Sequence, residues 1–166
     1  MTPPLLTPPY LLTELGNIED WACDYNGHLN EGYALVLLSR ATDTLLDAIG
    51  LDAISREQRQ FSAFTLQNIL HYRQEGRLGQ RLQASSQLLA YDEKRLRIYH
   101  QLLNSESGET LVEMETLLIG VDMQQRRSAP WPREIEQALF ALSQQQAQLP
   151  IPERAGGGIS RPALPL

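Results

Sequence analysis

Apolar residues change their period along this chain, and the change divides it into elements. Every residue from Tyr33 to Leu38 is apolar, and Ala41, Leu45, Leu46 and Ile49 continue at helical spacing. The pattern predicts one long helix. Asn30 stands before it as an N-cap, Glu31 falls where the helix dipole favours a carboxylate, and Gly50 ends it. A helix this apolar is expected to be wrapped by other structure.

Past a polar linker at 55–60 the period drops to two. Phe64, Leu66, Asn68, Leu70 and Tyr72 alternate with Thr65, Gln67, Ile69 and His71, and three further runs follow at 82–90, 96–102 and 111–121. Turn signals at 75–79, 91–94 and 105–109 predict antiparallel hairpins in a meander. Ahead of the helix, 10–23 reads as a first strand region broken at Gly16-Asn17. Pro130-Trp131-Pro132 opens a last helix from Arg133 to about Gln146, with Ile135, Leu139 and Leu142 on its apolar face. The chain thus divides into a proline-rich segment 1–9, a domain 10–148 and an irregular Pro/Gly-rich tail 149–166. The predicted class is α+β, a single antiparallel sheet wrapped around one long apolar helix.

Composition narrows the chemistry. A net charge of −6 and a pI near 5.0 argue against nucleic-acid binding, which leaves a basic footprint. Lys94 is the only lysine, so positive charge is carried by arginine, which suits bidentate phosphate contacts. Cys23 is the only cysteine; it reads as a packed strand residue and permits no internal disulfide. The three histidines lack metal-ligand spacing, no Gly-x-Ser-x-Gly elbow is present, and Gly156-Gly157-Gly158 lacks the strand-to-helix context of a phosphate loop. No metal or cofactor is expected. The start has neither a basic n-region nor an apolar h-region, and no run spans a membrane, so no membrane association and a cytoplasmic location are expected.

The most informative stretch is Asp24-Tyr25-Asn26-Gly27-His28-Leu29-Asn30, which opens into the long helix. A helix start presents unpaired N–H groups and favours developing negative charge. A carboxylate beside such donors can act as nucleophile or general base while the donors hold an oxyanion.

On Asp24-x-x-Gly27-His28-x-Asn30, the apolar helix and the strand order after it, the chain resembles the hotdog-fold acyl-CoA thioesterases of the 4-hydroxybenzoyl-CoA type over roughly 10–140. The resemblance implies Asp24 as catalytic carboxylate, with the backbone near Asn30–Gly32 polarising the thioester. Ala22 stands where some relatives carry a second acid, and Glu31 at the very start of the helix argues against branches with a mid-helix glutamate. A narrower likeness lies in Tyr72-x-x-Glu75-x-x-x-Gly79, Asp92-x-Lys94-Arg95-Leu96, Val121-Asp122, Arg126-Arg127-Ser128-Ala129-Pro130-x-Pro132 and Pro152-Glu153-x-Ala155-Gly156. These look like the thioesterases of carnitine breakdown, some of them fused to carnitine dehydrogenase, and imply betainyl-CoA as substrate, hydrolysed to glycine betaine and CoA.

The implied catalytic set is Asp24, His28 and Asn30. Gly27, Glu31, Tyr25, Tyr33, Tyr72 and Glu75 are implied around the substrate, because a trimethylammonium group is bound by aromatic faces and a nearby carboxylate. Trp21 and Phe64 are further aromatic candidates. Arg126 and Arg127 are expected at the CoA phosphates, in competition with Arg73, Arg77 and Arg81. Glu113 and Glu115 read as a solvated sheet face, and His100 has no assigned role. The family's edge-to-edge assembly implies at least a homodimer. The alternatives are a thioesterase for another short-chain or aromatic acyl-CoA, and a non-catalytic acyl-CoA-binding hotdog protein.

Overall fold

Strand β1 (Leu11–Asn17) leads through a 3₁₀ turn at Asp20–Ala22 to helix α1 (Glu31–Ala48) and the short helix α2 (Ala53–Arg59). Strands β2 (Phe61–Tyr72), β3 (Arg81–Tyr91), β4 (Arg95–Asn104) and β5 (Thr110–Asp122) follow, then a two-residue strand β6 (Arg127–Ser128) and helix α3 (Arg133–Gln145). The computed structural model describes residues 9–158; most of the proline-rich start and the end of the tail lie outside the described residues. No helix among the described residues is long and apolar enough to cross a membrane.

The sheet runs β1-β3-β4-β5-β2, antiparallel throughout, with β6 on the end of β5. Strands β3 to β5 form the expected meander, but β2 does not pair with β3. It lies at the far edge against β5, with Tyr72 opposite Val112 and Phe61 opposite Asp122. The segment 73–80 must therefore cross the end of the sheet to begin β3. Turn residues predict a reversal but carry no record of which strand receives the chain.

The helix α1 lies across one face of the sheet. Ala34, Leu37, Leu38, Ala41, Thr42, Leu45 and Leu46 recur at helical spacing and are buried. Leu37, Leu38 and Ala41 share a cluster with Leu82, Ala84, Leu102, Val112 and Met114. Leu45, Leu46 and Ile49 join Leu88, Ile98 and Leu118, closed off by Trp131, Ile135 and Leu139 of the α3 region. The helix is not wrapped on all sides, as its composition suggests. Tyr33, Leu35 and Val36 remain exposed, so the continuous apolar run serves two faces, one packed on the sheet and one open.

The sequence also misreads local features. The linker at 55–60 is largely α2, capped by the Asp52 carboxylate on the Ser55 N–H at 2.8 Å. With no buried residue, α2 has no apolar stripe to detect. A register shift between Thr65 and Gln67 breaks the alternation of β2. Residues directly opposite share a face, so Phe64, opposite Ile119, turns away from the face that holds Leu70 and Tyr72.

Glu113 and Glu115 form the other correction. Their side chains are 11% and 13% exposed, not solvated. Arg73 of the crossover meets Glu113 at 2.9 Å, and Arg97 of β4 meets Glu115 at 2.6 Å. The described part of the tail lies over them: Arg154 Nε is 3.6 Å from Glu113, and the Gly156 N–H donates to Glu115 at 2.6 Å. Distant arginines thus neutralise what a local reading leaves to water.

Two buried features set stability. His100 is fully buried between α1 and the sheet, 3.0 Å from Thr42 Oγ1 through Nε2 and 2.7 Å from Ser86 Oγ through Nδ1. Burial pushes its pKa down to about 3. In the unfolded chain an imidazole titrates near its ordinary value of ~6.5, so the unfolded state binds the extra proton first as pH falls. The contribution of His100 to stability is therefore complete above pH ~6.5 and declines by ~1.4 kcal/mol per pH unit below it, toward pH ~3. Gly76 in the crossover packs so closely that a Cβ there would lie 2.8 Å from Ile18 Cδ1, 3.2 Å from Leu29 Cβ and 3.3 Å from Leu111 Cδ1.

Urea unfolding between pH 7.5 and 5.5 should show wild-type stability falling on acidification and His100→Gln falling less steeply; equal slopes would remove His100 as the cause. Gly76→Ala should cost about 1–3 kcal/mol through overpacking, read as a drop in Tm of ~2–4 °C per kcal/mol.

Candidate active site

The segment 24–30 is a small closed loop. The Asp24 N–H donates to the His28 carbonyl at 2.8 Å, and the Gly27 N–H returns to the Asp24 carbonyl at 3.0 Å. Gly27 supplies the turn with φ +74°, a conformation that side chains disfavour. Asp24 Oδ1 accepts from the Asn26 N–H at 2.8 Å and the His28 N–H at 3.3 Å. Loop amides thus fix the carboxylate by one oxygen, while the other has no partner among the described residues.

Asn30 acts as the predicted cap: its side chain accepts from the Gly32 N–H at 2.8 Å. That bond also redistributes the expected oxyanion donors. The Asn30 N–H is taken by the Ala22 carbonyl at 2.9 Å and the Gly32 N–H by the cap. Among the described residues the Glu31 N–H has no acceptor, so it is the free donor of the Asn30–Gly32 set.

The crossover 73–80 supplies the opposite wall. The Leu29 N–H donates to the Gly76 carbonyl at 2.8 Å, and a bridge pairs His28 with Arg77. These main-chain contacts bring Glu75 to His28, with Oε2 3.1 Å from Nε2. Glu75 Oε1 accepts from Arg77 Nη2 at 2.5 Å and Nε at 3.2 Å. The Arg77 hydrogen bond, with help from the charge of His28, holds the Glu75 carboxyl below the usual carboxylate range.

Between the two loops lies an open cleft of about 750 Å³. Asp24, Tyr25, His28, Asn30, Glu31, Tyr72 and Glu75 all line it, so seven of the residues singled out in the sequence converge. The Tyr72 hydroxyl donates to the Glu31 carbonyl at 3.1 Å, laying the ring along the helix start. Partial burial and the nearby Glu31 carboxylate push the pKa of Tyr72 up. Tyr33 lies outside the cleft lining, edge-on to Trp21 with ring centres 5.2 Å apart. Arg126 and Arg127 lie at the Phe61 end of β2–β5, whereas the cleft lies at the Tyr72 end. Eleven residues of strand separate the ends, roughly 35 Å at ~3.3 Å per residue. Arg126 instead rests over the Phe64 ring at 5.8 Å.

Of the competing arginines, Arg73 lines the cleft but pairs with Glu113, Arg77 is held by Glu75, and Arg81 reaches Glu14 at 3.5 Å. Sequence reasoning placed Glu75 at the substrate's cation and missed its contact with His28. The separation of 47 residues hides the pairing, and only the unsuspected crossover creates it. Gln74 and Leu111, also in the lining, carried no signal.

Known proteins similar to this chain fall in one family. Residues 18–139 match the family model of the Thioesterase-like superfamily. A betainyl-CoA thioesterase of Pseudomonas aeruginosa is 39% identical over 145 residues, covering 87% of this chain and 91% of that protein. An L-carnitine dehydrogenase/betainyl-CoA thioesterase of Agrobacterium fabrum is 42% identical over 136 residues; the match covers 82% of this chain but 28% of that longer protein. The crystal structure of a Pseudomonas putida KT2440 protein put forward as a thioesterase superposes with a TM-score of 0.80 at 36% identity, covering 93% of this chain and 99% of that one. The family match, over most of the domain and including the loop that holds Asp24 at a helix start, makes this chain a member of the thioesterase-like superfamily with the hotdog fold.

Proposed function

We propose that the chain hydrolyses betainyl-CoA to glycine betaine and CoA, with Asp24 as nucleophile or general base. The observation that carries this reading is the placement of Asp24: one oxygen is fixed by loop amides and the other is uncommitted, in a cleft shared with the unpaired Glu31 N–H. The identity to a betainyl-CoA thioesterase over nearly its whole length supports the acyl group.

The thioester carbonyl oxygen points toward the helix start, where the Glu31 N–H and the helix dipole stabilise the oxyanion. Asp24 attacks the carbonyl carbon, giving a mixed anhydride that water resolves, or it deprotonates the attacking water directly. The trimethylammonium group of this substrate is one methylene from the carbonyl carbon, so its recognition surface must adjoin the reacting centre. Tyr72 and Tyr25 offer aromatic faces in the cleft, and Glu31 offers a carboxylate whose charge no arginine of the described residues matches.

A homodimer completes the site. Among the described residues the β2 edge is unpaired, and Phe64, Leu66, Tyr33, Leu35 and Val36 are exposed, with Leu66 at 55%. Pairing two β2 strands antiparallel about a two-fold axis would bring the Phe64 end of one subunit beside the Tyr72 end of the other. Arg126 and Arg127 would then meet the CoA phosphates of the opposite subunit's site. The reaction belongs to the cytoplasm, where CoA esters are made and used.

Free-thiol release from betainyl-CoA, acetyl-CoA, a medium-chain acyl-CoA and 4-hydroxybenzoyl-CoA tests the reading. Preference for betainyl-CoA is expected; activity on another ester alone would discard the betaine pocket, and silence on all four would favour a binding protein. Asp24→Asn should lower kcat by about 10³-fold while binding of CoA changes little, and wild-type turnover by that variant would remove Asp24 from the mechanism.

A further inference from the structure

We infer that Glu75 is a positioning residue for His28, and that this pair serves proton transfer to the departing thiol rather than recognition of the substrate's acyl group. The inference rests on the thioesterase reading of the same cleft. A carboxylate in an aromatic-lined cleft is an obvious partner for a cationic substrate, but the geometry has already committed this one. Oε2 lies 3.1 Å from His28 Nε2, and Oε1 takes both Arg77 contacts. Its charge is matched within the crossover, and the cleft's carboxylates without a cationic partner are Asp24 and Glu31.

His28 is held from two directions. Its main chain is tied to Asp24, through its N–H to Oδ1 at 3.3 Å and through its carbonyl to the Asp24 N–H at 2.8 Å. Its ring is tied to Glu75, on a segment locked to the same loop by the Leu29–Gly76 hydrogen bond. A carboxylate oxygen 3.1 Å from Nε2 orients the ring through electrostatic attraction. Charged or titratable groups around it are Asp24 on its own loop, Glu31 at the helix start, Tyr72 of β2, and Arg73, Glu75 and Arg77 of the crossover.

The step balances without a further reactant. The acyl carbon–sulfur bond breaks, and its electron pair leaves on sulfur. Sulfur takes the proton carried by His28, releasing CoA as the thiol. The imidazole regains a proton from the water consumed in hydrolysis, whether that water attacks the thioester or an Asp24 anhydride.

The test compares wild type, Glu75→Gln and Glu75→Asp on betainyl-CoA and acetyl-CoA, with kcat and KM measured across pH and His28→Gln as the reference variant. Expected for Glu75→Gln is a kcat loss of at least about tenfold on both esters, part of the 10²–10⁴ that general acid–base catalysis supplies. KM should change less than threefold, and the alkaline limb of kcat, where a general acid has lost its proton, should move to lower pH. Glu75→Asp should recover part of each effect, with Tm unchanged in both variants. A KM increase confined to betainyl-CoA with kcat intact would overturn the inference by making Glu75 the cation's partner. An unmoved alkaline limb of kcat, or a kcat loss that merely follows a fall in Tm, would overturn it too. Failure of the thioesterase reading is distinguishable, because wild type would then release thiol from no ester.

Discussion

The hydrogen bond from the Leu29 N–H to the Gly76 carbonyl joins the two segments that make the site, and the cleft depends on it. On one side is the loop that carries Asp24 and runs into α1; on the other is the crossover that must pass the end of the sheet because β2 and β3 lie at opposite sides of β4 and β5. Neither segment has regular structure to hold it. The glycine allows the main chains to meet, and the meeting places Glu75, Tyr72 and Arg73 around the helix start. The site is therefore a product of topology as much as of any motif.

Which parts were legible in the sequence follows from the range of the interactions involved. The cap by Asn30, the start of α1 and the period of β3, β4 and β5 are set by neighbours a few residues apart, and the residues declare them. The convergence of Asp24, His28, Asn30, Glu31 and Tyr72 was legible through family resemblance, which carries long-range information that periodicity lacks. The partnering of β2 with β5, the register shift beside Leu66 and the pairing of Glu113 depend on residues forty or more positions away, Glu115 is met by Arg97 eighteen positions away on a neighbouring strand, and local pattern is silent on them. The His28–Glu75 contact belongs to the same class.

Charge is distributed with the same logic. Glu113 is matched by Arg73 and Arg154, Glu115 by Arg97, and Glu75 by Arg77. Arginine can serve two acceptors at once with its planar fork, which suits a chain with almost no lysine. The pairing leaves unmatched negative charge at the mouth of the helix start, where Asp24 and Glu31 lie. Such a mouth attracts cationic groups and repels anionic ones.

The face of the sheet that turns away from α1 has a further bearing on assembly. Its middle is a lattice of arginine–glutamate pairs roofed by residues 150–156, with the Pro150 carbonyl accepting from Gln87 at 3.3 Å. Stacking two such surfaces would strip water from charges already satisfied. The water-bearing charge lattice is a cost that any partner seated on this face has to meet. The exposed apolar residues Tyr33, Leu35 and Val36 of α1 lie on the other side of the sheet, where no such lattice covers them among the described residues.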